Sequence, residues 1–287
     1  MSFRFRCIPY VLFLFSVPTL AVMKKSNPSP AQPAAVRETR PAAPTPSAKR
    51  IWDAWYTIEA NGGIPYGYYN DRLEKLPDGR LHYENRIWKL EEGWINEESL
   101  GAFVQDDEAL TPLFFHFWSN YRSEEVQIDG TITAGKQLSV RVKQGSKELP
   151  LIQRSLPQPL LLSVFFPYYL GKQLSTLKKG IRKSFRILFE DDFSNRFAPD
   201  SGGFKVEDQD DFAKNSSTTK ILIESRNQLS HWYVDSEGLP KRIVMMGSKI
   251  IVDRVASQTL AESYIRKESG AISSQPMKAS PPSSTDR

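Results

Sequence analysis

The stretch WDAWYTIEA (52–60), NGG (61–63), IPYGYYNDRLE (64–74), PDG (77–79), RLHYENRIWKL (80–90) decides the fold. In its first segment Trp52, Ala54, Tyr56, Ile58 and Ala60 share one side of a two-residue period, and Asp53, Trp55, Thr57 and Glu59 share the other. That is the pattern of a strand with one buried face. Asn61-Gly62-Gly63 and Asp78-Gly79 supply residues that tolerate positive φ, as tight hairpin turns require. The stretch therefore reads as three antiparallel strands.

The same device recurs along the chain. Glu91–Gln105 offers Trp94 and Phe103 as its apolar points, and Thr111-Pro112 then opens LFFHFWSNY (113–121), the most aromatic run present. Such a run reads as a strand buried on both faces. Asp129-Gly130 and Ala134-Gly135-Lys136 mark turns before QLSVRVK (137–143), where Leu138, Val140 and Val142 alternate with Ser139, Arg141 and Lys143. KSFRILFE (183–190) alternates in the same way. Asp191–Ser217 reads as a long acidic loop with one short strand at 203–207. Four strands follow at 218–225, 229–235, 239–246 and 249–256, then a terminal helix over Thr259–Lys267.

One segment breaks the period. From Leu160 the apolar residues run continuously, with Pro157 and Pro159 just before them and Pro167 inside. The run predicts short helices across 160–177, ended or kinked at Pro167. The fold class is thus mostly β: a single curved antiparallel sheet, or open half-barrel, with a short helical lid segment. No composition break divides 51–267, which is read as one domain.

The ends differ from this domain. Arg4 and Arg6 precede the apolar run Ile8–Val22, which closes on Thr19-Leu20-Ala21. Residues 1–21 read as a secretory signal peptide cleaved after Ala21. The expected destination is the periplasm or outer envelope; retention as an uncleaved membrane anchor is the alternative. Residues 22–50 are rich in proline and alanine and are expected to be a disordered linker, as is the tail 268–287. The lone cysteine, Cys7, lies in the signal, so the remaining chain has neither disulfide nor thiolate chemistry. The net charge of +5 comes from residues 1–50, which hold eight basic residues against Glu38 alone; the tail is balanced, and 51–267 carries 28 basic and 30 acidic residues. The basic balance therefore gives no reason to expect nucleic-acid binding, and membrane contact is expected to be peripheral only.

The layout resembles a known group. Asn61-Gly62-Gly63-Ile64-Pro65-Tyr66-Gly67 and Trp232-Tyr233-Val234-Asp235-Ser236-Glu237-Gly238-Leu239-Pro240 punctuate it. In order of features it resembles uncharacterised bacterial envelope β-meander domains, some adjacent to transglutaminase-like domains. It is distantly similar to the periplasmic lipoprotein-carrier half-barrels. The resemblance implies a curved sheet round a helical lid over an apolar cavity, and it carries over no catalytic residue.

Candidate chemistry is sparse. Beyond Cys7 no cysteine can act as nucleophile, and no Gly-x-Ser-x-Gly elbow is present. His82, His116 and His231 are the whole supply of histidine and lie far apart in sequence. No cofactor or metal site is expected. Asp191, Asp192 and Glu84 could furnish a carboxylate pair, as any acidic chain could. Trp55 is the aromatic that shares a face with polar residues, and Lys178–Lys183 is a basic run. The expected function is an exported, non-enzymatic envelope protein that binds a lipid or other apolar ligand, or an envelope protein partner. The alternative is a hydrolase using acidic residues at the open end of the sheet. For the ligand, the segment Leu160–Leu170 is placed across the concave face. Phe165, Phe166 and Tyr169 would then face Phe115, Phe117 and Tyr56, either around a cavity or in a packed core.

Overall fold

The alternation read in 52–60 holds in the computed structural model: Trp52, Ala54, Tyr56, Ile58 and Ala60 are all buried. The structure describes residues 48–269 except 61, 92–93 and 122–123, together with Arg6–Ile8 and Leu12–Phe13, which pair as a separate two-stranded sheet. The segments read as signal peptide, linker and C-terminal tail otherwise lie for the most part outside the described residues. β1 begins at Lys49, two residues inside the segment read as linker.

Sixteen strands form one sheet. They are β1 (Lys49–Ala60), β2 (Ile64–Lys75), β3 (Arg80–Glu91), β4 (Trp94–Gln105), β5 (Pro112–Tyr121), β6 (Glu124–Thr133), β7 (Gln137–Gln144) and β8 (Lys147–Glu148). After them come β9 (Ile152–Ser155), β10 (Leu161–Leu162), β11 (Lys183–Leu188), β12 (Asp200–Val206), β13 (Thr219–Ser225), β14 (Gln228–Val234), β15 (Pro240–Met245) and β16 (Ile250–Val255). Their order in the sheet is β8-β7-β6-β5-β4-β3-β2-β1-β16-β15-β14-β13-β12-β11-β10, with β9 also on β7. Among the described residues only β10 and β11 pair in parallel.

Two edges remain unpaired with each other, so the sheet is open. One stretch of chain nevertheless visits both: Ser155 sits on the β7 edge and Leu161 on the β11 edge. Six residue steps reach at most about 21 Å. Laid flat, the fourteen strand-to-strand steps between the edges would span about 67 Å. The sheet must therefore curl until its edges nearly meet.

What fills the curl is the segment that broke the strand period. A 3-10 turn, Ser163–Phe165, leads into α1 (Phe166–Leu174). Pro167 stands in the first turn of α1 and neither ends nor kinks it, contrary to expectation; the first-turn N–H groups have no partner within the helix. Rings from both halves of the sheet meet this segment. Phe165 lies 6.0 Å from Tyr83 of β3, and Tyr168 lies 6.0 Å from Trp52 of β1. Phe166 lies 4.7 Å from Phe185 of β11, 5.9 Å from Phe204 of β12 and 5.6 Å from Trp232 of β14. The Trp232–Pro240 motif locks the helix in place. Asp235 accepts from the backbone N–H groups of Glu237 and Leu239 and from Arg254. Gly238, at φ +86°, then lies so close to Gly171 that a Cβ on Gly171 would sit 2.0 Å from the Glu237 carbonyl oxygen.

Three elements depart from the sequence reading. Glu91–Gln105, which offered two apolar points, holds the full strand β4. The acidic loop 191–217 holds β12 from Asp200 and a short helix, α2 (Asp211–Ser216), capped by Asp210, whose carboxylate accepts from the Ala213 N–H. Trp55 is no open platform: it stacks on Trp88, 6.2 Å away, beneath α3 (Gln258–Ser269), which buries Ala261 and Ile265 there.

Phe166 is 2% exposed amid these rings. Phe166→Ala should cost about 3–5 kcal/mol of unfolding free energy, measured by chemical denaturation, as large-to-small changes in packed cores do. A loss under about 1 kcal/mol would instead mark a cavity there.

Candidate functional site

Each residue read as ligand-binding has a definite place. Tyr56, Phe115, Phe117, Phe165 and Phe166 are buried, and Tyr169 is half-buried. Tyr56 stacks on Tyr69 at 4.5 Å, and Phe115 meets Phe197 at 6.0 Å. Tyr169 meets Phe166 and Phe204. All six line the inside of the curl.

The inside is not uniformly apolar. Along β3 the inward register runs Leu81, Tyr83, Asn85, Ile87, Lys89, Glu91. Its middle carries Asp71 of β2, which accepts from the Asn85 side chain at 2.6 Å and from the Tyr83 hydroxyl. Burial pushes the Asp71 carboxyl up to about 6, against the lowering effect of those two bonds. Its far end carries Lys89, 1% exposed, whose Nζ lies 2.6 Å from Glu98 of β4. Beside it Glu91 accepts from Asn96 and from the Tyr66 hydroxyl.

A loop enters this end. After β11 the chain turns inward at 189–199 and buries Phe189, Glu190, Asp192 and Phe197. Glu190 accepts from the Ser163 hydroxyl and the Val164 N–H at the start of the α1 segment. Asp192 caps the turn Phe193–Asn195 and pairs with Arg226, which also holds Asp200 and lies 3.7 Å over the Phe189 ring. Burial pushes the Glu190 carboxyl up to about 7 and raises Glu98 as well. Asp191 is raised well above the carboxylate range, by desolvation first and then by the charges of Glu98, Glu190 and Asp192. The result is an acid-rich inner end held together by hydrogen bonds and one lysine.

The sequence-named acids do not converge as a pair. Asp191 faces this cluster, Asp192 is committed to Arg226, and Glu84 pairs with Arg72, 3.2 Å away. The histidines each keep to a local partner: His82 stacks on Phe103, His116 binds Asp129 and His231 binds Glu207. Among the described residues no group of three or more His, Cys, Asp or Glu side chains could hold a metal ion. In the basic run, Lys179 pairs with Asp208 and Arg182 with Glu224. Lys89, Glu98 and Glu190 escaped the sequence reading. The available signal was a lysine on the buried side of an alternating strand, at Lys89.

The outer surface has its own feature. The hairpins β13–β14, β15–β16, β1–β2 and β3–β4 are consecutive in the sheet and turn at the same end. Their tips expose Leu229 (42%), Met246 (53%), Ile64 (59%), Trp94 (60%) and Ile95 (52%). Isolated exposed apolar residues are ordinary; these five are set apart by standing on hairpins that turn at one end of the sheet.

No family model matches the chain. No curated protein matches it either. Among solved structures it is similar to the crystal structure of a β-barrel-like protein of domain of unknown function DUF1849 from Brucella abortus. The identity is 13%, over 70% of this chain and 93% of that one, with a TM-score of 0.48. The neighbour is distant, and is itself an uncharacterised β domain.

The raised acids make stability depend on pH. The folded state holds the Glu190 proton to about 7, and the unfolded chain only to about 4.5. That group's contribution is complete below the unfolded value and is lost as pH rises through the folded one. Between pH 5 and 8 this should remove on the order of 3 kcal/mol of unfolding free energy. Asp71 acts in the same direction. In urea unfolding at both pH values, Glu190→Gln should lose its share of that slope; an unchanged slope would contradict the assignment.

Proposed function

We propose that this chain is an exported, non-catalytic module of the bacterial cell envelope that binds a protein partner through its hairpin-tip rim. The observation that carries this reading is the row Leu229, Met246, Ile64, Trp94 and Ile95, exposed on four consecutive hairpins at one end of the sheet. Tryptophan and large aliphatic side chains of this kind act as anchors at protein interfaces. The apolar-ligand reading draws less support, because α1 and its surrounding rings already occupy the inside of the curl. Export rests on the charged and apolar N-terminal pattern.

The test pairs two measurements on protein purified from its native cells. The double change Trp94→Ser, Ile95→Ser should leave thermal unfolding within a degree or two, since exposed positions contribute little to stability. It should also abolish a discrete cross-linked adduct formed by the unaltered chain. An adduct that survives the double change would remove the rim from the account. A stoichiometric lipid in organic extracts of the protein would return it to apolar-ligand binding.

A further inference from the structure

Among the described residues five glycines stand inside strands: Gly67, Gly101, Gly130, Gly202 and Gly203. At four of them a neighbour takes the place of the missing side chain. A Cβ would run into the Trp88 carbonyl oxygen at Gly67, the Phe115 ring at Gly130, the Phe185 ring at Gly202 and the Arg182 guanidinium at Gly203. Gly101 is the exception, since a Cβ there would meet nothing within 4 Å. Its φ is not positive, and β4 pairs through it without a shift, to Glu84 on one side and His116 on the other. Glycine weakens a strand interior. Where neither backbone conformation, bulge nor packing calls for it, close approach from outside is the reason left.

Ala102 and Val104 are buried, so Gly101 and Ser99 face outward. Together they floor a trough on the outer face of the sheet. Glu84 of β3 and His116 of β5 flank Gly101, and Arg86 and Trp118 flank Ser99. Two strand steps, about 10 Å, separate the walls. His116 is held by Asp129, 2.7 Å from its Nδ1. A carboxylate accepts, so Nδ1 carries the proton and Nε2 is left for a ligand. Trp118 donates its indole N–H to Glu125 at 2.8 Å, which fixes the ring. Phe103, half-buried, closes one end, with His82 stacked on it at 4.3 Å. Neither sign of charge dominates the margins: Glu84 has Arg72 at 3.2 Å, Glu97 feels the charge of Arg86, and Asp129 has His116.

We propose that this trough holds a sugar residue of a neutral polysaccharide. A pyranose carries hydroxyls round its edge and apolar C–H groups on its faces. Its hydroxyls donate to Glu84 and to Nε2 of His116 and accept from Arg86, while a C–H face lies against Trp118. A wholly apolar ligand would leave those polar heads unpaired, and a strongly charged one would meet its own sign on one wall. The missing side chain at Gly101 lets the sugar approach the backbone. The trough is apart from the hairpin-tip rim, so either assignment can fail alone.

The probe is a set of neutral tetrasaccharides of glucose, mannose, galactose or N-acetylglucosamine, titrated into the full-length chain and read by amide chemical shifts. At least one should bind saturably, with shifts centred on Ser99–Gly101, Glu84 and His116 and little dependence on salt. Gly101→Val should weaken that binding at least tenfold. The same change should raise the thermal midpoint by about 2 °C, because it fills open space on a strand with a strand-favouring residue. His116→Ala should weaken binding about tenfold. No saturable binding of any of these sugars, shifts centred elsewhere, or full binding by the Gly101→Val chain would overturn the proposal. So would a lowered midpoint in Gly101→Val, which would show that the fold itself needs the glycine. Self-association abolished by Gly101→Val would also overturn it, marking the trough as a contact between two copies of this chain.

Discussion

Six residue steps, from Ser155 to Leu161, hold the architecture to its shape. Sixteen twisted strands could form an extended sheet with far-separated edges, but a chain segment at most about 21 Å long joins those edges. Curling is then obligatory, and a curled sheet has an inside that must be filled. The α1 segment fills it. On a flat sheet β3 and β11 would stand about 38 Å apart, eight strand steps, whereas a nine-residue helix is about 13 Å long. Ring contacts from one short segment to both strands are possible only because the sheet closes round it.

The inside is built in two chemistries. Around α1 it is aromatic and dry, and the stabilisation there comes from area removed from water and from close ring packing. Toward the end where 189–199 folds in, it is polar, and desolvation raises the Glu190 and Asp191 carboxyls above their ordinary values. Arg226 closes this end by holding Asp192 and Asp200 while covering Phe189. The inner end thus depends on hydrogen bonds donated to its acids and on the Lys89–Glu98 and Arg226–Asp192 pairs, whereas the aromatic part is held by packing.

This division explains what the sequence disclosed. Strands whose inward residues are apolar, such as Trp52–Ala60 and Leu138–Val142, announce themselves by alternation. β4 hides because its inward register opens with Asn96 and Glu98, so the period of two is polar where the other strands are apolar. The loop after β11 hides for a related reason. Its acids suggest a solvated turn, yet Phe189 and Phe197 anchor it inside and Arg226 neutralises Asp192. The helix was legible as the one continuous apolar run. Its partners were only half legible, since periodicity tells which face is buried and not which distant strand lies opposite. The exposed rim was not legible at all: Ile64, Trp94 and Met246 come together through sheet order, which the turns alone do not specify.

The most direct test of this account is the distance between the two sheet edges in solution. Spin labels placed by Arg154→Cys on β9 and Arg186→Cys on β11, in a chain carrying Cys7→Ser, would report it by pulsed dipolar spectroscopy. Chain connectivity across the seam predicts a distribution centred below about 40 Å, allowing for the reach of the labels. A distribution centred beyond about 55 Å, approaching the width of the uncurled sheet, would contradict the curl and the central place of α1 within it.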